Sequence, residues 1–174
     1  MSARIRNPFT PSFGQIPLYM AGRDLVIDEI MRAFENGVGD PNLSTILIGA
    51  RGSGKTALMS LLAHEAQGFG WLSVNVSALP GMLEDIAQQA KAVASSIVSV
   101  SSHAKIKSVG VPQILDIEWE RDAVEQPNWR MRMSAILEGL NASDVGLLIT
   151  VDEVRADLDE LIQLVSVHQH FIRE

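Results

Sequence analysis

The chain has 174 residues, of which 47% are hydrophobic and 5% aromatic, and this length and aliphatic bias favour one α/β domain over an aromatic-rich β-sandwich. Its formal net charge of −7 gives the whole chain no electrostatic attraction for nucleic acid, and the lack of cysteine excludes disulfides, a thiol nucleophile and a thiolate metal site. Because the sequence has neither a signal-peptide core nor a run of about 18 apolar residues, we expect a cytoplasmic protein without a membrane segment.

An extended arm is predicted for residues 1–17. The prolines in this stretch stand too close together for a helix or a central strand. Residues 18–174 are expected to form the folded domain, whose first helix ends at Asn36 and Gly37. The apolar face of that helix consists of Val26, Ile27, Ile30, Met31 and Phe34.

Residues 43–48 form a short apolar, β-branched run, which is typical of a buried strand in a parallel sheet. Residues 49–56 follow directly and match the complete pattern G-x-x-x-x-G-K-[ST], which we call the phosphate loop. A helix is predicted over residues 55–67, ended by Gly68. A strand, a glycine-rich turn and a helix in this order are the setting in which such a loop binds polyphosphate.

The residue types of the phosphate loop fit that chemistry. Its glycines allow a tight turn that directs backbone N–H groups and a helix N-terminus at one anion. Lys55 is expected to reach the β- and γ-phosphates, and the Thr56 hydroxyl is expected to bind Mg²⁺. The alternative is a glycine-rich turn with a surface lysine. The predicted nucleotide-binding residues here are Gly49, Ala50, Arg51, Gly52, Ser53, Gly54, Lys55, Thr56 and Ala57.

The middle of the chain predicts a second strand over residues 71–76 and a long helix from Met82 to about Val100. Two further runs flank Gly110-Val111-Pro112, so we expect an inserted β-hairpin at about residues 103–119. Another helix is predicted over residues 128–140.

A third strand, over residues 146–151, ends in Asp152 and Glu153. An apolar strand that delivers two acids to the carboxyl edge of a sheet is what a P-loop ATPase needs opposite its phosphates. Asp152 would then hold Mg²⁺, and Glu153 would take a proton from the attacking water. The alternative is a strand that merely ends on two solvated acids. A last helix is predicted over residues 156–172.

The proline-rich arm with Gly22-Arg23-Asp24, the phosphate loop and the strand that ends in Asp152-Glu153 together resemble the N-terminal part of an AAA+ ATPase of the origin-recognition-like class, closest to bacterial ATP-binding proteins of that class. The resemblance implies a three-layer α/β/α P-loop NTPase fold with a mainly parallel sheet of strand order 5-1-4-3-2. It also implies ATP or ADP and Mg²⁺ as ligands.

The resemblance implies two further parts of the site. Residues 18–24 would lie beside the adenine, which adds Tyr19, Met20, Gly22 and Arg23 to the nucleotide-binding residues. Asn75 falls where such proteins often place a polar residue that holds the catalytic glutamate inactive until a partner binds. The alternative for Asn75 is a turn-capping group at the end of a strand.

The sequence departs from this class after the third strand. The fourth strand with its sensor, the fifth strand, the arginine finger and the helical lid are not recognisable, so we expect the front portion of a longer protein, incomplete at its C-terminus. Without a finger arginine, hydrolysis is expected to be slower by about 10³ to 10⁵. The missing strand favours self-association, and DNA would be bound only through the missing part, if at all.

Two other functions share the same phosphate loop. One is a non-catalytic switch or scaffold whose nucleotide state governs assembly or DNA loading by the missing C-terminal part. The other is a small-molecule kinase, which Glu153 disfavours because a second acid directly after Asp152 suits activation of water.

Overall fold

The structure is a computed structural model that describes residue 20, residues 22–101 and residues 128–171. It is a mixed α/β protein with five helices and a small parallel sheet among these residues. The chain divides into two compact units, Met1–Phe69 and Gly70–Glu174, and each is described by itself. The predicted arm and the predicted hairpin lie outside the described residues.

The first unit is built on two helices, α1 (Asp24–Asn36) and α2 (Lys55–Gly68), which pack against each other. Helix α1 ends as predicted, at Gly37, whose φ of 68° suits glycine and whose N–H donates to the Ala33 carbonyl. Aromatic side chains add to this packing, because the ring centroids of Phe34 and Phe69 lie 5.9 Å apart. The buried side chains of the two helices are Ile30, Ala33, Phe34, Leu58, Leu62, Ala63 and Ala66.

The prediction of a strand over residues 43–48 is wrong. A short 3₁₀ turn, Pro41–Leu43, takes up the start of this run, and residues 45–50 have no regular secondary structure. The Ser44 N–H donates to the Pro41 carbonyl, and the Thr45 hydroxyl donates to the Asn42 carbonyl, so these polar groups serve the turn and not a ladder. No strand among the described residues pairs with the segment, and Ile46 and Ile48 are 85% and 92% exposed.

The second unit contains the sheet. Strands β1 (Leu72–Ser77) and β2 (Leu147–Asp152) are parallel neighbours, with Leu72 opposite Leu147 and Ser77 opposite Asp152. Both strands were predicted within one residue of these bounds. Their parallel pairing is compatible with an α/β fold.

The described part of this unit also contains three helices: α3 (Met82–Ser101), α4 (Trp129–Asn141) and α5 (Asp159–Phe171). All three match predicted helices, although α5 begins three residues later than expected. Helix α4 begins after Asn128, whose side chain accepts the Met131 N–H and so satisfies one of the free donors of the first turn. Helix α3 contributes to the core, as Ile86 and Ala90 are fully buried.

The core of the second unit lies between the sheet and these helices. Val74 and Val76 of β1 are buried, whereas Asn75 and Ser77, which alternate with them, are exposed. The other buried side chains come mainly from α3 and α4; they are Ala78, Met82, Leu83, Ile86, Ala87, Ala90, Ala94, Trp129, Met133, Ile136 and Leu140. None of the helices in the described part of the chain is both long and apolar enough to cross a bilayer.

Candidate nucleotide-binding site

The phosphate loop turns tightly into the start of α2. The Ser53 N–H donates to the Ala50 carbonyl at 3.2 Å, and Gly52 (φ 80°) and Gly54 (φ 83°, ψ 19°) adopt left-handed conformations that glycine tolerates best. Helix α2 begins at Lys55. The first N–H groups of a helix have no intrahelical acceptor and carry the positive end of the helix dipole, so an anion placed before Lys55 is favoured.

The first residue of the loop lies close to the Ser53 side chain. A Cβ on Gly49 would lie 2.9 Å from the Ser53 hydroxyl oxygen. That hydroxyl is buried and has no hydrogen-bond partner among the described residues. A buried polar group without a partner is costly, so an oxygen-rich anion in the loop would satisfy a group that the protein leaves unsatisfied. The residues present therefore fit a phosphate group.

Lys55 folds back across the loop. Its Nζ donates to the Gly49 carbonyl at 2.8 Å and to the Ala50 carbonyl at 3.0 Å. An ammonium group has three N–H donors, so these two contacts do not exhaust it. The charge of Lys55 thus lies directly over the turn that the glycines form.

The segment before α1 also reaches the loop. A guanidinium nitrogen of Arg23 donates to the Ser53 carbonyl, and the methyl group of Met20 lies 3.9 Å from the position of a Cβ on Gly54. The structure therefore places Met20 and Arg23 against the phosphate loop. Gly22 is exposed with φ 72°, and Tyr19 lies outside the described residues.

The remaining loop residues differ in exposure. Arg51 and Thr56 are exposed, and Ala57 is half-buried at the start of α2. The Ser60 hydroxyl donates to the Thr56 carbonyl, within the first turns of the helix.

The two acids lie in the second unit, where β2 ends. The carbonyl of Asp152 accepts the Ala78 N–H at 2.9 Å, which extends the ladder by one bond, and the Glu153 N–H donates to the Asp152 carboxylate at 2.8 Å. Glu153 has a φ of 55° and an exposed side chain. A left-handed conformation costs a residue other than glycine about 1 kcal/mol or more, and such strain is concentrated at functional sites.

Asn75 has a cross-strand partner that the sequence did not indicate. It stands opposite Thr150, and its side-chain oxygen accepts the Thr150 hydroxyl proton at 2.6 Å. Both residues lie two positions before Ser77 and Asp152 at the carboxyl ends of their strands. The pair thus fixes an exposed polar surface of the sheet next to the acids.

A second residue that sequence reasoning missed is Glu160, at the start of α5. Its carboxylate accepts the N–H groups of Gly81 and Leu83 at 2.7 and 2.8 Å, and so caps the N-terminus of α3. The sequence indicated only that a long helix needs such a cap. Nothing in the sequence indicated that an acid almost eighty residues away supplies it.

A scan against protein-family models and searches of curated proteins and of solved structures found no match to this chain. Among the described residues, no three histidine, aspartate or glutamate side chains are arranged to hold a metal ion.

Proposed function

We propose that this chain is the ATP-binding domain of an AAA+ P-loop ATPase of the origin-recognition-like class, with slow hydrolysis of ATP to ADP and phosphate. The observation that supports it most is the backbone of the phosphate loop. Gly52 and Gly54 take positive φ angles immediately before Lys55, where α2 begins, so the sequence pattern and the local conformation agree.

The proposal assigns a role to each chemical group. Lys55 would exchange its carbonyl partners for oxygens of the β- and γ-phosphates. Mg²⁺, held by the Thr56 hydroxyl and the Asp152 carboxylate, would offset the charge of the phosphates. Glu153 would take a proton from the water that attacks the γ-phosphate. This arrangement requires the loop and the two acids to face the same nucleotide, which is part of the proposal.

The nucleotide-binding half of the proposal is tested by removing the charge of Lys55. We expect the wild-type chain to bind ATP with Mg²⁺, and Lys55→Ala to bind at least about tenfold more weakly, because charged hydrogen bonds to phosphate are lost. Lys91→Ala, which removes the same group from α3, is the matched control and should bind like the wild type. Titration with a fluorescent ATP analogue measures all three. Unchanged binding by Lys55→Ala would overturn the proposal.

The proposal that Thr56 and Asp152 share one metal ion is tested with Mn²⁺ in place of Mg²⁺. Mn²⁺ broadens NMR signals of nearby nuclei, so Mn²⁺ with ADP should broaden the amide signals of both Thr56 and Asp152. The same titration with Mg²⁺, which is diamagnetic, is the reference in which both signals should stay sharp. Broadening at Thr56 without broadening at Asp152 would show that the acids do not share the metal.

A nucleotide-dependent switch is the second candidate, and the exposed segment before the loop favours it. Ile46 and Ile48 are almost fully exposed, and Ile48 directly precedes Gly49. Binding at the loop could therefore change the exposure of apolar groups that favour association. Size-exclusion chromatography with and without ATP tests this: a change of oligomer without turnover supports the switch, and an unchanged elution volume opposes it.

A further inference from the structure

Arg23 is held in a fixed position relative to the phosphate loop. It is the residue before α1, and its carbonyl accepts the Ile27 N–H at 3.0 Å, in the first turn of that helix. Helix α1 packs against α2, and α2 begins within the loop. The backbone of Arg23 and the phosphate loop therefore belong to one packed structure.

The Arg23 side chain uses this position to contact the loop backbone. Its Nη2 donates to the Ser53 carbonyl at 2.5 Å, across thirty positions of sequence and in a partly buried setting. The donor is a cationic guanidinium, so this hydrogen bond is charge-assisted.

The contact determines the direction of the next N–H group. The peptide bond between Ser53 and Gly54 is trans, because the described residues contain no cis peptide. In a trans peptide the C=O and N–H groups point in opposite directions. With the Ser53 carbonyl turned toward Arg23, the Gly54 N–H points away from Arg23. The left-handed conformation of Gly54 then leads directly into α2, whose N-terminus faces the anion.

We propose that Arg23 is a positioning residue for the polyphosphate. It holds the peptide between Ser53 and Gly54 so that the Gly54 N–H faces the phosphates, and it acts through the loop without touching the adenine. The proposal rests on the proposed function, since it concerns the same nucleotide. Arg23 is thus assigned to the phosphates and not to the base. Binding of a polyphosphate that has no base should therefore also depend on Arg23.

Inorganic tripolyphosphate, which has no base, is the decisive probe. We expect Arg23→Ala to weaken the binding of tripolyphosphate and of ATP by the same factor, about tenfold, as for loss of one charge-assisted hydrogen bond. Arg32→Ala removes a guanidinium from the exposed side of α1 and is the matched control, expected to bind both like the wild type. Titrations followed by NMR in the presence of Mg²⁺ give both affinities. Weaker ATP binding with unchanged tripolyphosphate binding would assign Arg23 to the base and overturn the proposal, as would no change for either ligand.

Two measurements separate positioning from loss of fold. In Arg23→Ala the amide signals of Leu62 and Ala66, buried on α2, should keep their wild-type positions while that of Gly54 moves. In the wild type, which needs no mutation, the Gly54 amide should respond to tripolyphosphate; no response would overturn the proposal. If the wild type binds neither ligand, the proposed function itself fails. If it binds both and Arg23→Ala binds them equally well, the positioning role alone fails.

Discussion

Two apolar runs of similar length precede the phosphate loop and the Asp152-Glu153 pair, and they have different structures. Residues 147–152 form β2, whose six residues are all half-buried beside β1. Residues 43–48 enter a turn and then continue without regular structure, and Ile46 and Ile48 are exposed. A strand needs a neighbour for its backbone groups and a covered face for its side chains. An apolar, β-branched run can therefore form a strand, but it does so only where another strand pairs with it.

The largest expected effect tests this comparison with the same mutation in both units. Ile86→Ala removes a fully buried side chain from α3 and should lower the free energy of unfolding by about 2 to 5 kcal/mol. Ile46→Ala shortens a side chain that is 85% exposed, and it should change the free energy of unfolding by at most about 0.5 kcal/mol. Hydrogen exchange of amides in α3 and α2, under increasing denaturant, measures the stability of each unit. A loss of 2 kcal/mol or more for Ile46→Ala would mean that this residue is buried in solution, as in the predicted strand.

The next effect concerns the tight start of β2. A Cβ on Gly146 would lie 2.2 Å from an atom of the Trp71 indole ring, so Gly146→Ala should destabilise the second unit by about 1 to 3 kcal/mol. Gly139→Ala is the matched control, because a Cβ there meets nothing within 4 Å and lies inside α4. That change should instead stabilise by about 0.5 to 1 kcal/mol. Denaturant unfolding followed by tryptophan fluorescence reports on this unit, since all three tryptophans lie within Gly70–Glu174. Equal effects of the two mutations would show that Trp71 does not pack on Gly146.

A smaller effect is expected at the end of β2, where Glu153 has a left-handed backbone. Glu153→Gly relieves this strain and should stabilise the second unit by about 0.5 to 1 kcal/mol while abolishing any ATP turnover. Asp144→Gly relieves a similar φ of 56° outside the candidate site and should leave turnover unchanged. Thermal unfolding and phosphate release measure the two outcomes. Turnover that survives in Glu153→Gly would remove this residue from the proposed mechanism.

The sequence predicted most of the second unit because its signals are local. The strand predicted over residues 71–76 and the helix predicted from Met82 were each recognised within one run of residues, and Val74 and Ile86 are their buried side chains. The strand at residues 43–48 was predicted in the same way and failed. Whether a run is buried depends on a neighbour elsewhere in the chain, and no local pattern contains that information.

In the candidate site, too, the local features were predictable from the sequence and the long-range contacts were not. The glycine conformations at residues 52 and 54 and the helix start at Lys55 follow from the loop pattern itself. The contacts of Arg23 with Ser53 and of Thr150 with Asn75 could not be predicted, because each joins residues far apart in sequence through one side-chain rotamer. Motifs specify their own backbone, whereas the groups that orient a motif depend on tertiary packing.

The smallest effect concerns the ion pair that joins α3 and α4. The two Nη atoms of Arg132 donate to the two carboxylate oxygens of Glu84 at 2.9 and 2.5 Å. The hydrogen bond from Arg132 is the main reason that the pKa of Glu84 lies below its ordinary value of 4.5. A carboxyl whose pKa is lower in the folded state stabilises the fold above its unfolded pKa, and this contribution is lost as the pH falls through the folded pKa.

Glu84→Gln should therefore destabilise the second unit at pH 7, and its difference from the wild type should disappear as the pH falls well below 4.5. The side chain of Glu84 is 47% exposed, so water screens the pair and the expected loss is only about 0.2 to 1 kcal/mol. Asp85→Asn, which removes the neighbouring charge from the same first turn of α3, controls for the effect on the helix dipole. Denaturant unfolding at several pH values measures all three proteins. A difference between Glu84→Gln and the wild type that stays constant with pH would show that the charge of Glu84 does not cause the loss.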